Sequence, residues 1–168
     1  MLILGIDPGS LHTGYGLLEK AAAGGSSFKV VTAGRLSGPR DMALPARLAR
    51  LAAGLQELIA QHRPDVAVLE SPFHGMNSRS LIVLAQARGA LLATLAGHDI
   101  EIREYTPAEV KSAVTGNGRA DKEQVARMVR LLVGVADHSW STDATDALAV
   151  ALCCAQRLRF DRLREGAR

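Results

Sequence analysis

Apolar residues open the chain in one run, LILGI, which stops at Asp7-Pro8-Gly9, a turn-forming tripeptide. TGYGLLEK resumes an extended pattern, AAAGGSS interrupts it, and Phe28 to Thr32 supplies a third strand, so the first segment predicts an antiparallel meander. From Leu44 the period changes. Leu44, Leu48, Leu51, Leu55, Leu58 and Ile59 recur at helical spacing and stop before Pro64. Asp65 to Glu70 (DVAVLE) then groups its apolar residues without alternation, as a strand buried on both faces does. A helix joining two strands in this way implies a parallel crossover.

After the loop from Ser71 to Ser78, the stretch from Arg79 to Gly97 carries Leu81, Ile82, Val83, Leu84, Leu91, Leu92 and Leu95 on more than one face. Such a helix has to be covered twice: by the sheet on one side, and by deep core or a second subunit on the other. A second subunit is the expected cover. Asp99 to Glu104 predicts a fifth strand, and Thr106-Pro107 opens a helix as N-cap and first residue. Another helix follows GNGRAD, and a last one starts near Ser141. The order βββαβα followed by helices predicts an α/β domain of ribonuclease H-like architecture, with a five-stranded mixed sheet flanked by helices on both faces.

Composition narrows this picture only a little. The 168 residues, 48% hydrophobic and 22% charged, suit a single domain over 1–168 with no linker or internal repeat, its tail after about 160 left open to disorder. No run approaches the ~20 apolar residues of a membrane span, and MLILGID follows no basic leader, so a cytoplasmic location is expected. Cys153 and Cys154 are adjacent in an apolar run and read as buried, reduced thiols. A net charge of +3 and a pI near 9.2 favour a polyanionic partner without identifying one.

The candidate chemistry lies in four acids. Asp7 ends the first strand and Glu70 the buried one, and ligands in open sheets bind beyond such carboxyl ends. Asp143 and Asp146, three apart at a helix start, project from one face. Each acid has a plainer reading: Asp7 as a turn initiator, Glu70 as half of a buried pair, and the DxxD acids as partners of the helix dipole with Thr142 as N-cap. Together, with no histidine cluster beside them, they suit the hard cations Mg²⁺ or Mn²⁺ better than zinc. Two such ions about 3.5–4 Å apart would clamp an in-line phosphoryl displacement, which is nuclease chemistry.

GIDPGSLHTGYG, VLESPF, QARGALLATLAG, YTPAEVKSAVTGNGRADKEQV and TDATDALAVAL stand in order along nearly the whole chain. With these motifs it resembles the RuvC family of Holliday junction resolvases. The resemblance implies a homodimer that resolves four-way DNA junctions by paired nicks in strands of like polarity, working with a branch-migration motor complex. It makes Asp7, Glu70, Asp143 and Asp146 the metal-binding catalytic acids, with two ions per site. Phe73 becomes the aromatic that wedges beside an unstacked base, and Lys111 and Lys122 the functional lysines.

The residues themselves agree in kind. Phe73, in the polar loop after Glu70, either stacks on a base, a contact worth about 1–3 kcal/mol, or is buried beneath the loop. Lys111, Arg119 and Lys122 offer phosphate contacts, whereas Arg127 and Arg130 suit a solvated helix face. Met76 stands where some relatives carry a basic residue, and Asn77, Ser78 and Arg79 are the candidates to compensate. His74 and His138 read as surface histidines, and Trp140 as core or as a lid over the last helix. Actin-like ATPases and sugar kinases share the opening strand and turn, but need two domains and a second phosphate loop. A DNA-binding relative without catalysis is disfavoured because all four acids are present.

Overall fold

The computed structural model describes residues 1–20, 28–71, 78–135 and 140–165. Five strands, β1 (Leu2–Asp7), β2 (His12–Lys20), β3 (Phe28–Ser37), β4 (Val66–Glu70) and β5 (Glu101–Tyr105), form one sheet in the order β3-β2-β1-β4-β5. β2 runs antiparallel to both its neighbours, while β1, β4 and β5 are parallel. The predicted mixed five-stranded sheet is therefore present. Helices α1 (Leu44–His62) and α2 (Ser78–Ala96) cover one face; α3 (Pro107–Thr115), α4 (Lys122–Leu132) and α5 (Thr142–Glu165) cover the other.

Alternation along the central strands fills both faces. Leu4, Ile6, Ala67 and Leu69 meet Leu55, Ile59, Leu91 and Leu95 of α1 and α2. Ile3, Val66 and Val68 point the other way, toward Val110, Val114, Val125, Val129 and α5. By the same two-residue period Asp7 shares a face with Ile3 and Gly5, and Glu70 with Val66 and Val68, so both acids rise on the α5 side.

The helix enclosed on all sides is α5. From Ala144 to Ala155 every residue except Asp146 is buried, between the sheet on one side and α3 and α4 on the other. Its alanines make this possible: a Cβ on Gly5 would lie 2.0 Å from the Ala147 carbonyl oxygen, and one on Gly14 1.9 Å from that of Asp143. Only glycine allows the helix to approach the strands so closely. Cys153 and Cys154 are fully buried free thiols, and burial pushes both up to about 11.

Other boundaries differ from expectation for identifiable reasons. β3 runs on to Ser37 because backbone pairing with β2 continues through Gly34 and a bulge at Leu17/Leu18, where the apolar pattern fades. β5 begins at Glu101, since Asp99 adopts a left-handed φ of 54° in the reversal after α2. Asp65 precedes β4 and accepts a 2.7 Å hydrogen bond from the Leu2 N–H, fixing the start of β1. Ser141, not Thr142, caps α5: its Oγ accepts from the Ala144 N–H at 3.3 Å. α5 itself continues past 160 to Glu165.

On α2, Ala87, Arg88, Leu91 and Leu95 face inward and Leu84 is half-buried. Ile82 is 58% exposed, and Ala85, Gly89, Ala93 and Ala96 are exposed with it. The outward face is thus largely of small residues, and Leu91 belongs to the core rather than to an outer surface. Trp140 is partly buried and packs on the α5-side core.

Candidate active site

β1 and β4 lie side by side in parallel register, Ile6 beside Leu69, so the next residues on each strand, Asp7 and Glu70, leave the sheet together. The turn after Asp7 is fixed by Thr13, only 1% exposed, whose hydroxyl donates to the Gly9 carbonyl at 2.9 Å. Asp7 pairs with Gly14 across to β2, and Gly14 is where the Asp143 backbone rests. Seating α5 on that glycine brings Asp143 and, one turn on, Asp146 over the ends of β1 and β4.

Asp7, Glu70 and Asp146 line a cleft of about 160 Å³ with Pro107, Val110, Lys111, Lys122, Val125 and Ala149. Asp143 is not among the residues that line it but is close enough to act on the charge of Asp7. Burial first, then Asp146, Glu70 and Asp143 in that order, push the Asp7 carboxyl from 3.8 up to about 7. Glu70 is raised as well, by burial and by Asp146, with Lys122 and Lys111 opposing. The three carboxyl groups of the cleft, with Asp143 nearby, outnumber its two lysines.

Lys122 is the first residue of α4. Its helix start is set by a capping box in which Asp121 and Gln124 each accept a backbone N–H from the other. From there Lys122 Nζ reaches Asp146 Oδ2 at 3.3 Å, and the acids hold its ammonium pKa above the ordinary value, Asp146 most strongly. Lys111 comes from the first turns of α3, which Thr106 starts with a second capping box to Glu109. Arg119 and Arg79 are both exposed, Arg119 in a loop where its N–H donates to Asn117 Oδ1 at 3.0 Å. Phe73, His74, Met76, Asn77 and His138 lie outside the described residues.

The donor set fits a hard divalent cation: all oxygen, surplus negative, and with the Asp7 carboxyl driven up by burial and then by its acidic neighbours. No three acidic, histidine or cysteine side chains among the described residues are drawn around one point, so the acids surround the cleft without closing on a centre. Lys122, largely exposed, stands against Asp146 as a counter-charge.

Sequence reasoning missed Arg88. It is 8% exposed on the sheet-facing side of α2. Nη1 donates to the Glu70 carbonyl oxygen at 2.7 Å, and Nη2 stands 2.7 Å from Glu104 Oε1 as an ion pair without hydrogen-bond alignment. A charged residue in the middle of an apolar helix face was the available signal. A larger open groove of about 720 Å³ runs along β5, α3 and α5. Its arginines are internally paired, Arg157 with Glu109 at 3.0 Å and Arg103 with Glu101 at 2.6 Å, so it lacks the charge imbalance of the acidic cleft.

Comparison with known proteins follows the same lines. A family model described as crossover junction endodeoxyribonuclease RuvC matches residues 3–154. RuvC of Anaeromyxobacter sp. strain K is 46% identical over 160 residues, covering 95% of this chain and 83% of that one. RuvC of Syntrophomonas wolfei is 42% identical over 153 residues, covering 91% and 87%. Thermus thermophilus RuvC, solved in complex with Holliday junction substrate, superposes with a TM-score of 0.88 at 29% identity over 96% of each chain. The ribonuclease H-like sheet, the glycines that seat α5 and the acids over the strand ends thus occur within one matched span: the chain belongs to the RuvC family of crossover junction endodeoxyribonucleases.

Proposed function

We propose that this chain is an endonuclease that resolves four-way DNA junctions, acting as a homodimer with Mg²⁺ or Mn²⁺. The observation carrying this reading is one cleft lined by Asp7, Glu70 and Asp146 from β1, β4 and α5, with Asp143 near enough to act on Asp7, whose carboxyl is raised to about 7. Thermus RuvC with its junction substrate supplies the substrate class.

These four carboxylates would hold the ions, which when bound supply polarisation of the scissile phosphate and activation of a water. Around them the chain's own groups have separate tasks. Asp7 gives up the proton it retains near pH 7 when its oxygens become ligands. Lys122 and Lys111 place two ammonium groups where non-bridging phosphate oxygens would lie, and Lys122 exchanges its contact with Asp146 for one with phosphate. Arg88 holds the Glu70 main chain at its carbonyl, so that the carboxylate leaves the strand at a fixed angle.

The homodimer rests on the uncovered small-residue face of α2 around Ile82, Gly89 and Ala93, which allows close approach of a second copy. A two-fold pair offers two identical sites to the two equivalent strands of a junction. A branch-migration motor partner and a cytoplasmic location complete the reading.

Glu70→Gln and Asp146→Asn test the site. Each is expected to slow cleavage at least about 100-fold, because several kcal/mol of transition-state stabilisation go with a missing ligand. Junction binding should persist, since affinity comes mainly from phosphate contacts elsewhere. Near-normal nicking by either variant would remove that residue from the site.

A further inference from the structure

The loop between α3 and α4, residues 116–121 (GNGRAD), leads directly into Lys122. Gly116, at a φ of 78°, ends α3 in the left-handed region, and Asp121 caps α4. Between them Asn117 is exposed, with its main chain held on both sides. Its N–H donates to Thr115 Oγ at 3.1 Å, and its carbonyl oxygen accepts from the Ala120 N–H at 3.1 Å. Gly118 packs on the start of α3, where an added Cβ would stand 3.2 Å from the Ala108 carbonyl oxygen. Ala108 follows Pro107, which lines the acidic cleft, so the loop borders that cleft on the side of Lys122.

The polar groups of this dipeptide are committed unequally. Asn117 Oδ1 accepts the Arg119 N–H at 3.0 Å. Among the described residues neither Asn117 Nδ2 nor the Gly118 N–H has a hydrogen-bond partner. An intramolecular attack of the Gly118 nitrogen on Asn117 Cγ closes a five-membered ring and needs three things. The nucleophile must be unshielded, and Gly118 has neither a side chain nor a hydrogen bond on its N–H. The carboxamide oxygen must carry negative charge as the ring closes, and the Arg119 N–H already stands on it as donor. The departing nitrogen must be free, and Nδ2 of this exposed side chain is held by no protein group among the described residues. Asn77, the other asparagine of the chain, is followed by serine.

We infer that Asn117, through Gly118, is a site of spontaneous deamidation in the folded chain, and that its conversion weakens junction binding. The second half rests on the junction-resolving reading; the first does not. The Gly118 nitrogen loses its proton to solvent and bonds to Asn117 Cγ, whose oxygen takes the electron pair. The pair returns as the Cγ–Nδ2 bond breaks and ammonia leaves with a proton from water. Water then opens the cyclic imide at one of its two carbonyls, giving aspartate on the original main chain or isoaspartate with one carbon added to it. The net change is carboxamide plus water to carboxylate plus ammonium, without oxidant or reductant. In the loop as synthesised the charges of Arg119 and Asp121 balance, so conversion leaves it at −1 beside a site that has to accept phosphate. The isoaspartate form also lengthens the main chain just ahead of the Asp121 cap that sets the start of α4 and Lys122.

The test ages the purified full chain at pH 8 and follows the tryptic peptide 112–119 by chromatography and mass, with released ammonia assayed alongside. Loss of the Asn117 amide, one ammonia per converted chain and both acidic products are expected. The rate should be at least that of a synthetic peptide of residues 112–123, and Gly118→Ala should slow it about tenfold or more by shielding the nucleophile. Binding to a four-way junction is then read by fluorescence anisotropy without divalent metal near 0.1 M salt. Aged wild type and fresh Asn117→Asp are each expected to bind about threefold or more weakly than fresh wild type. Asn117→Ser keeps an acceptor for the Arg119 N–H but has no amide to lose, so its affinity should not change on ageing. An Asn117 amide that outlasts that of the free peptide would overturn the site. Aged wild type and Asn117→Asp that bind as tightly as fresh wild type would overturn its effect on binding. Fresh wild type that binds no junction would instead overturn the junction reading, while the mass of the aged peptide still reports on the site.

Discussion

Asp7→Asn is expected to stabilise the metal-free protein at neutral and alkaline pH while destroying its activity. In the folded chain the Asp7 carboxyl titrates near 7, against 3.8 for the ordinary side chain, because burial and three neighbouring acids disfavour its charge. The folded state therefore holds one more proton than the unfolded state between those values, and stability falls as pH rises through that window. The interval from 3.8 to about 7, at ~1.4 kcal/mol per pH unit, sets a ceiling of about 4 kcal/mol on the cost of ionising Asp7. Asparagine keeps the shape and removes the charge, but its amide needs partners of its own, so a gain of about 2–3 kcal/mol is expected at pH 8. For a chain of this size that is roughly 4–12 °C in Tm. The assay is thermal and urea unfolding by circular dichroism in EDTA from pH 4 to 8.5, read as the difference between variant and wild type so that other titrations cancel. The difference should be near zero at pH 4 and grow until about pH 7. Saturating Mg²⁺ should then raise the wild type by about 2.7 kcal/mol at 100 times its Kd and leave the variant nearly unmoved. A variant no more stable than wild type at pH 8, with a flat difference curve, would refute the charge-crowding argument.

Gly14→Ala drives a methyl to 1.9 Å from the Asp143 carbonyl oxygen, so α5 must lift from β2; cleavage should fall at least tenfold while circular dichroism still reports a folded chain. Arg88→Met removes the donor to the Glu70 carbonyl, and Glu104→Gln removes only the ion pair. A higher Mg²⁺ requirement for cleavage is expected in both, larger for Arg88→Met, with junction affinity unchanged in metal-free buffer. Ile82→Glu places a charge on the exposed face of α2; sedimentation equilibrium should give monomers that leave junctions uncut or singly nicked, whereas an unmodified protein already monomeric at tens of micromolar would sink the dimer. Phe73→Ala, tested through the base-wedge role that the family resemblance gives it, should retain metal binding and lose junction cleavage.

Much of the site was legible because strand parity and strand ends are written in the apolar pattern. LILGID and DVAVLE each end in an acid after a buried run, which put Asp7 and Glu70 at strand carboxyl ends; that they share a face comes from the register of β1 with β4. The DxxD spacing likewise reads directly as one helix face. What stayed hidden depends on how elements dock. Nothing in the periodicity of α5 says that Gly5, Gly14 and Gly16 are its seats, since a glycine in a strand looks like a weak point until helix carbonyls, or for Gly16 the Leu148 side chain, rest on it. Arg88 escaped for a related reason: its partner is a main-chain carbonyl on another element, which carries no residue-type signature. Within one chain the helix enclosed on both sides is α5, whose alanines looked less apolar than the leucines of α2 yet make it narrow enough to fit between two layers, whereas the outer side of α2 was expected to meet a second subunit.

The most direct test of the central claim is a four-way junction with labelled strands, incubated with the purified wild-type protein and run on a denaturing gel, with Mg²⁺ in one arm and EDTA in the other. Nicks at symmetric positions in two strands of like polarity, present with Mg²⁺ and absent with EDTA, are the predicted result. A junction that is bound but stays intact in Mg²⁺, or nicks that persist in EDTA, would contradict it.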